Sequence, residues 1–232
     1  MMTPFRAVLF DFAGTVLMPL DAPTWVAHAA NRAGVTLSPD EIAAVAQRYL
    51  EAGLPGGPYP DDVPDEVTQM YAVRDLGPEE HRAAYTALLS TVPEPALGFT
   101  QAMYEEVLGP EGWVAYPDAA LTVRALQDAG LRVGLISNIG YELRPILEAH
   151  GLGALAQRCT LSCEHRIMKP DVRLFEAALA QLESEPGQTL MVGDHATADT
   201  GGVALGMRTL VLPMTPPGPA HGLDAVLRLV GV

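Results

Sequence analysis

Four short segments of the sequence combine charged or hydroxyl side chains with the small residues that ligand sites use. They contain Asp11 in DFAGT, Ser137 and Asn138 after the apolar run GLI, Lys169 in KPD, and Asp194 with Asp199 in GDHATAD. Predicted strands precede three of these segments, and KPD opens a predicted helix. Because ligands bind at the carboxyl ends of the strands in open α/β sheets, we expect these side chains to meet at one edge of a sheet.

The acidic residues in these segments suit a magnesium site beside a nucleophile. Asp11 can attack phosphorus and form an aspartyl-phosphate. Asp194 can share Mg²⁺ with Asp11, because this hard cation prefers oxygen ligands. Asp199 can bind the ion through water or orient the ligands around it. The three acidic side chains therefore predict metal-assisted phosphoryl chemistry.

Lys169 supplies the positive charge that such a site requires. It is the single lysine among 14 basic residues, the others being arginines. An ammonium is more compact than a guanidinium, which favours a lysine where space is limited. The Ser137 hydroxyl and backbone N–H groups near Gly14 and Asn138 can hold phosphoryl oxygens beside it. Together these residues predict a site for a small anionic substrate.

The pattern of apolar residues predicts a parallel sheet with a block of helices inserted after the first strand. Residues 8–10 form an apolar run typical of a buried strand. Helical periodicity follows over residues 25–33, 41–52, 79–89 and 100–108. We therefore predict an α/β fold with a Rossmann-like parallel-sheet core and an inserted α-helical cap. The core covers residues 1–15 and 114–232, and the cap covers residues 16–113.

From residue 116 onward, predicted helices alternate with predicted strands. The helices cover residues 117–129, 142–149, 172–182, 197–205 and 223–229, and the strands cover residues 132–136, 160–162, 189–192 and 209–212. Within the cap, Ser38 and Glu41 form a capping-box pattern at the start of a helix. The Gly- and Pro-rich segment 53–64 has no helical pattern, and we consider it a hypothetical loop for substrate selection.

Composition and charge exclude several classes of protein. Hydrophobic residues make up 49% of the 232 residues and charged residues 18%, so the chain can bury a sizeable core. The net charge of −14 disfavours nucleic acid as a partner. No apolar stretch approaches the roughly 20 residues of a membrane span. Cys159 and Cys163 are too few for a disulfide scaffold, so we expect a cytoplasmic protein. We expect it to act as a monomer or a homodimer.

The motifs together resemble those of the haloacid dehalogenase superfamily, in members with a helical cap after the first motif. The segments LISN at 135–138, SCEHRIMKPD at 162–171 and VGDHATAD at 192–199 carry the likeness. The resemblance implies that Asp11 is the nucleophile and that Lys169 and Ser137 bind the transferred group. It also implies that the Ala13 carbonyl and the Asp194 carboxylate bind metal. The predicted metal site is Asp11, Ala13, Asp194 and Asp199, and the predicted substrate-binding residues are Gly14, Thr15, Ser137, Asn138 and Lys169.

Ala13 departs from the pattern of the superfamily's phosphatases. These usually carry a second Asp at this position, which protonates the leaving alkoxide and then activates water. General acid–base catalysis contributes about 10²–10⁴-fold. A phosphatase with this sequence therefore needs a leaving group that takes no proton, or an acid from elsewhere. The conceivable donors in the sequence are His28, His81, His165, Tyr59 and Tyr71.

Three other activities fit parts of the sequence. Phosphonoacetaldehyde hydrolases carry a similar DxAGT motif, but they need a cap lysine for a Schiff base, and the predicted cap has none. Haloacid dehalogenases lack the second Asp and need no metal, whereas Asp194 and Asp199 favour a metal. A catalytically impaired member would bind a phosphorylated ligand or a protein partner, but converging charged groups are costly to retain without use. We therefore predict a Mg²⁺-dependent hydrolase of a small phosphorylated metabolite.

Overall fold

Seven strands form two sheets in the computed structural model, which describes residues 5–54, 63–215, 218 and 220–232. The strands are β1 (Ala7–Phe10), β2 (Leu17–Pro19), β3 (Trp113–Ala115), β4 (Arg132–Ser137), β5 (Cys159–Leu161), β6 (Thr189–Gly193) and β7 (Arg208–Val211). The main sheet has the order β5-β4-β1-β6-β7, and all of its strands are parallel. The predicted α/β fold with a parallel sheet is confirmed.

The register of the central strands brings three predicted site segments to one edge of the sheet. Phe10, at the end of β1, pairs with Leu135 of β4 and with Val192 of β6. The next backbone N–H, that of Asp11, donates to Val192 O at 2.8 Å. The residues that follow these three strands therefore leave the sheet side by side.

Among the described residues, five helices lie between β2 and β3. They are α1 (Ala22–Ala33), α2 (Pro39–Glu51), α3 (Asp65–Ala72), α4 (Pro78–Leu89) and α5 (Phe99–Leu108). Helix α2 begins with the predicted capping box, in which Ser38 and Glu41 each bond the other's backbone N–H. A 3₁₀ turn, Arg74–Leu76, joins α3 to α4. β2 and β3 pair antiparallel and carry the chain into and out of these helices; the two-domain boundaries remain a prediction.

Six further helices follow β3 in the part of the chain that the structure describes. They are α6 (Ala119–Asp128), α7 (Arg144–Ala149), α8 (Gly153–Ala156), α9 (Ser162–His165), α10 (Val172–Leu182) and α11 (Asp224–Val230). Leu9 of β1 belongs to an apolar cluster with Phe175 of α10, whereas Phe10 belongs to the larger cluster on the other face. The side chains of a strand alternate between faces, so both faces of β1 are buried.

One predicted helix, over residues 197–205, is wrong. The structure has only a 3₁₀ turn there, Gly201–Leu205. His195 Nδ1 accepts hydrogen bonds from the N–H groups of Thr197 and Ala198, at 3.2 and 3.1 Å. Bonds of this kind compete with helical hydrogen bonds and favour a turn.

Other elements escaped prediction because they are short or lie in weakly patterned sequence. β2 and β3 have three residues each, and α3 has eight. Of the proposed substrate-selection loop, residues 55–62 lie outside the described residues. None of the helices in the described ranges combines the length and the apolarity that crossing a membrane requires.

Candidate active site

A buried ion-pair network joins Lys169 to Asp11 and Asp199. Lys169 Nζ lies 2.6 Å from Asp11 Oδ1 and 2.6 Å from Asp199 Oδ1, and it donates to Ile136 O at 3.3 Å. The side chain of Lys169 is only 3% exposed. An ammonium has three protons, so these contacts use its whole donor capacity. The buried position explains why the chain carries a lysine here.

The charges in this network shift one another's protonation. Burial raises the pKa of Asp11 to about 7, and the Lys169 ammonium opposes that change. Burial by itself would lower the pKa of Lys169, but the carboxylates of Asp11 and Asp199 outweigh it and raise the pKa. Lys169 is therefore positively charged at neutral pH.

Asp194 brings another carboxylate against Asp11. Ligand oxygens of Asp11, Asp194 and Asp199 all lie within 4.8 Å of one another. Burial raises the pKa of Asp194, and the Asp199 charge adds to the rise. Two carboxylates this close need a proton or a cation between them. Their oxygen donors fit a hard divalent cation.

Asp199 is held at both of its carboxylate oxygens. Oδ1 accepts from Lys169, and Oδ2 accepts from the His195 N–H at 2.9 Å. The Asp199 N–H in turn donates to His195 O at 3.0 Å. Asp199 therefore orients Lys169 and the loop after β6, while Asp11 and Asp194 present the oxygens that suit an ion.

Two glycines make room for these carboxylates. Gly14 has φ +80°, and a Cβ there would lie 2.8 Å from Asp194 Cγ. A Cβ at Gly193 would lie 2.7 Å from Asp199 Cβ. Both separations are well below van der Waals contact between carbon atoms. Any larger residue at either position would displace an acidic side chain of the site.

Ser137 ends β4, Asn138 follows it, and both residues line the same cavity. Asn138 Oδ1 accepts from the Lys169 N–H at 2.7 Å, and Asn138 Nδ2 donates to Lys169 O at 3.0 Å. The Asn138 amide therefore fixes the backbone of Lys169. The Ser137 hydroxyl lies on the cavity wall, where it can donate to a bound anion.

The cavity has a volume of about 420 Å³, and residues of the helical insert form part of its wall. Arg74 and Asp75, both in the 3₁₀ turn, line it opposite the strand ends. The Arg74 guanidinium lies 3.9 Å above the Tyr71 ring, donates to Tyr71 O at 2.8 Å and pairs with Asp75 at 3.2 Å. No strand or motif precedes Arg74 and Asp75, so sequence patterns carried no signal for them.

The structure does not bring Gly14 and Thr15 to the cavity wall. The Gly14 N–H donates to Leu17 O at 2.8 Å, so it is not available to a phosphoryl oxygen. Thr15 is completely buried. In this structure Gly14 leaves space for Asp194 and Thr15 is buried, and the expected contact of these two residues with substrate stays a prediction.

The acid candidates taken from the sequence also lie away from the cavity. His81 is buried, and its Nδ1 lies 2.9 Å from the Tyr104 hydroxyl. Burial lowers the pKa of His81 to about 3, so it is neutral in the folded protein. His28, His165 and Tyr71 are also not among the residues that line the cavity. Tyr59 lies outside the described residues.

Comparison with known proteins assigns the family. The model for haloacid dehalogenase-like hydrolases matches residues 5–205. The match covers most of the chain, so the protein belongs to the haloacid dehalogenase-like hydrolase family. It is accordingly a hydrolase, as the site motifs predicted.

Similar proteins include both dehalogenases and a phosphatase. Haloacid dehalogenase-like hydrolase domain-containing protein 3 of Danio rerio is 27% identical over 205 residues, which cover 86% of this chain and 81% of that protein. Ribulose-1,5-bisphosphate 5-phosphatase of Halopiger xanaduensis is 32% identical over 113 residues, 45% of this chain and 47% of the phosphatase. A crystal structure of a dehalogenase superposes with a TM-score of 0.64 at 25% identity, covering 97% of this chain and 96% of that one.

Proposed function

We propose that this chain is a Mg²⁺-dependent phosphatase that transfers the phosphoryl group of a small anionic metabolite to Asp11 and then to water. The observation that carries the proposal is the approach of Asp194 to Asp11 beside Lys169, with ligand oxygens of the acidic cluster within 4.8 Å of one another. Paired carboxylates favour a metal site, and a metal ion would assist phosphoryl transfer, whereas a departing halide does not require one.

The residues present fit a magnesium ion. Asp11 and Asp194 would hold it with their carboxylates, and Ala13, which lines the cavity, would add its backbone carbonyl. Bound Mg²⁺ supplies positive charge next to the phosphoryl oxygens. An ion held there would offset the burial and the Asp199 charge that together raise the pKa of Asp194.

The chain's own residues perform the remaining tasks. The Asp11 carboxylate attacks phosphorus and forms the aspartyl-phosphate. Lys169, which contacts Asp11 at 2.6 Å, orients this nucleophile and offsets charge on the phosphoryl group. Ser137 donates from the cavity wall to a phosphoryl oxygen. Fixed donors of this kind need no reorganisation during the reaction.

Local charge supports an anionic substrate in a protein whose net charge is −14. Lys169 stands at the strand ends and Arg74 on the helical side, so positive groups face the cavity from both walls. The substrate therefore meets a locally favourable field inside an overall repulsive one. Cys159 and Cys163 are both free, which supports a reducing, cytoplasmic setting.

Haloacid dehalogenation is the second candidate, because Ala13 offers no acid and the superposed crystal structure is that of a dehalogenase. A halide leaves without a proton. The two candidates differ in their need for metal. The proposed phosphatase requires Mg²⁺, whereas the resemblance to haloacid dehalogenases implies a reaction without metal.

A substrate panel with and without metal separates the candidates. Phosphomonoesters, acyl phosphates, phosphonates and 2-haloacids are each assayed after treatment with EDTA and again with added Mg²⁺. Phosphate release that requires Mg²⁺ supports the proposal. Halide release that is indifferent to EDTA would replace it with the dehalogenase, and no turnover on any compound would favour a ligand-binding member.

A further inference from the structure

Asp75 is a candidate proton donor for the leaving group, which the residues of the four motifs do not supply. Ala13 lines the cavity but carries no titratable group. Asp75 lines the same cavity from the 3₁₀ turn of the helical insert. It is only 5% exposed, and the Lys169 charge acts on its carboxyl. Asp75 therefore borders the cavity in which a leaving group would stand, near the lysine of the site.

Each of the other titratable groups on the described cavity wall already has another role or contact. Lys169 and the acidic cluster form the nucleophile and metal site described above, and Arg74 does not deprotonate in proteins. His195 Nδ1 accepts the N–H bonds of Thr197 and Ala198, at 3.2 and 3.1 Å, so this nitrogen holds the loop after β6. Asp75 is the carboxyl group that remains.

The position of Asp75 is fixed by contacts with the core. The Ser162 hydroxyl donates to Asp75 O at 2.5 Å and accepts from the Ile139 N–H at 2.8 Å. Ile139 follows Asn138, which holds the backbone of Lys169. The turn that carries Asp75 is thereby tied to the same loop that positions the catalytic lysine. Such support is what a proton donor needs to be held at a reacting atom.

The burial of this carboxyl favours its protonated form. Burial raises the pKa of Asp75, while the Arg74 and Lys169 cations oppose the change. The hydroxyls of Tyr85 and Tyr141 are the other titratable groups that interact with it, and burial raises the pKa of both, so they remain neutral. A carboxyl with a raised pKa is better suited than an ordinary one to donate a proton and take it back.

We infer that Asp75 replaces the missing acid–base residue of the first motif, an inference that rests on the proposed phosphatase function. As Asp11 bonds to phosphorus, the bond from phosphorus to the leaving oxygen breaks, and that oxygen takes the proton of the Asp75 carboxyl. Water then attacks phosphorus and gives a proton to the Asp75 carboxylate, while the bond between phosphorus and Asp11 breaks. The cycle consumes one water and restores both side chains.

The test is the dependence of rate on the leaving group. Asp75→Asn should lower kcat/KM for phenyl phosphate and glycerol 2-phosphate by about 100-fold or more, because their leaving oxygens need a proton. For p-nitrophenyl phosphate, whose leaving group departs as an anion, the loss should be below about tenfold. Glu106→Gln is the matched control, since Glu106 is a buried carboxylate of the insert that pairs with His28 and Arg32 outside the cavity. It should leave the ratio between substrates unchanged.

A second variant and a second readout cover the case in which Asp75→Asn fails to fold. Ser162→Ala keeps the carboxyl but removes its anchor, and it should reduce phenyl phosphate turnover more than p-nitrophenyl phosphate turnover. In folded Asp75→Asn, rapid quenching with p-nitrophenyl phosphate should trap phosphorylated Asp11, because water is no longer activated.

The outcomes separate this inference from the proposed function. Equal losses on all three esters, with phosphorylated Asp11 no more abundant than in the wild type, would overturn the role of Asp75 while leaving the aspartyl-phosphate mechanism intact. Turnover of these esters without phosphorylation of Asp11 in any variant would instead reject the proposed function itself.

Discussion

Gly14 stands so close to Asp194 that a Cβ at position 14 would lie 2.8 Å from Asp194 Cγ. The first motif and the segment after β6 are 180 residues apart in the chain, and they meet here without an intervening side chain. The glycine thus determines how near Asp194 comes to Asp11. The φ of +80° at this position is a second reason for a glycine, because L residues with a side chain rarely adopt such an angle.

We expect Gly14→Ala to abolish most activity by displacing Asp194. Gly130→Ala is the matched control, because Gly130 has nearly the same φ, +81°, with nothing within 4 Å of a Cβ. Both substitutions should cost about 1 kcal/mol or more of unfolding free energy from backbone strain. Only Gly14→Ala should also lose Mg²⁺-dependent turnover. Equal activity in the two variants would show that the approach of Asp194 is not required.

Replacing the nucleophile should separate folding from chemistry. Asp11→Asn should reduce turnover about 1000-fold or more, since the amide cannot form the covalent intermediate. The fold should survive, because Lys169 keeps its 2.6 Å contact with Asp199 and one charge leaves a crowded acidic cluster. Circular dichroism and steady-state assays give the two readouts. Near wild-type turnover would rule out covalent catalysis by Asp11.

Magnesium binding should be visible as stability, independently of any substrate. A ligand that binds only the folded state adds about 2.7 kcal/mol to the free energy of unfolding at 100 times its Kd. Asp194→Asn should remove this increment. Asp21→Asn should retain it, because Asp21 is an exposed helix cap and Asn caps equally well. An increment that survives Asp194→Asn would place the ion elsewhere.

Restoring a carboxyl at position 13 tests whether another acid already operates. Ala13 is exposed to the cavity, so a longer side chain can be accommodated. With Asp75 as the acid, Ala13→Asp should change phenyl phosphate hydrolysis by the otherwise unaltered enzyme less than about tenfold. In the Asp75→Asn background, the same change should recover most of the lost rate. A gain of about 100-fold in the wild-type background would mean that no other residue protonates the leaving group.

The buried histidine of the insert should make stability depend on pH. His81 has a folded-state pKa of about 3, below its ordinary 6.5. Between these values the unfolded chain binds a proton that the folded chain does not, so the free energy of unfolding falls as pH is lowered. The slope is at most about 1.4 kcal/mol per pH unit. His81→Gln does not titrate and can still bond Tyr104, so urea titrations across this range should show a shallower slope. Identical slopes would contradict the assignment.

The sheet and its catalytic edge were predictable because local patterns specify them. The runs that end at Phe10, Ser137 and Gly193 are buried throughout or nearly so, and parallel strands place their ends together. The meeting of Asp11 and Asp194 follows from that topology, whereas Lys169 is held there by its backbone bonds with Asn138. The capping box at Ser38 was visible for the same reason, since a cap depends only on residues near in sequence.

The helical wall of the site was not predictable, because it depends on contacts remote in sequence. Asp75 reaches the cavity through the path of the insert and the hydrogen bond from Ser162, 87 residues later. The surroundings of Gly14 and Thr15 were not predictable for a related reason. Whether a backbone N–H is free or bonded, as that of Gly14 is to Leu17, is a property of the folded loop.

The burial of Lys169 also determines how the protein reacts with amine-directed labelling reagents. Because this residue is the only ε-amine in the chain and is 5% exposed, amine-directed dyes, crosslinkers and surface-coupling reagents find no accessible lysine in the closed protein. Reaction at Lys169 would therefore report any opening that exposes the buried ammonium. A mass increment on one tryptic fragment would time that opening directly.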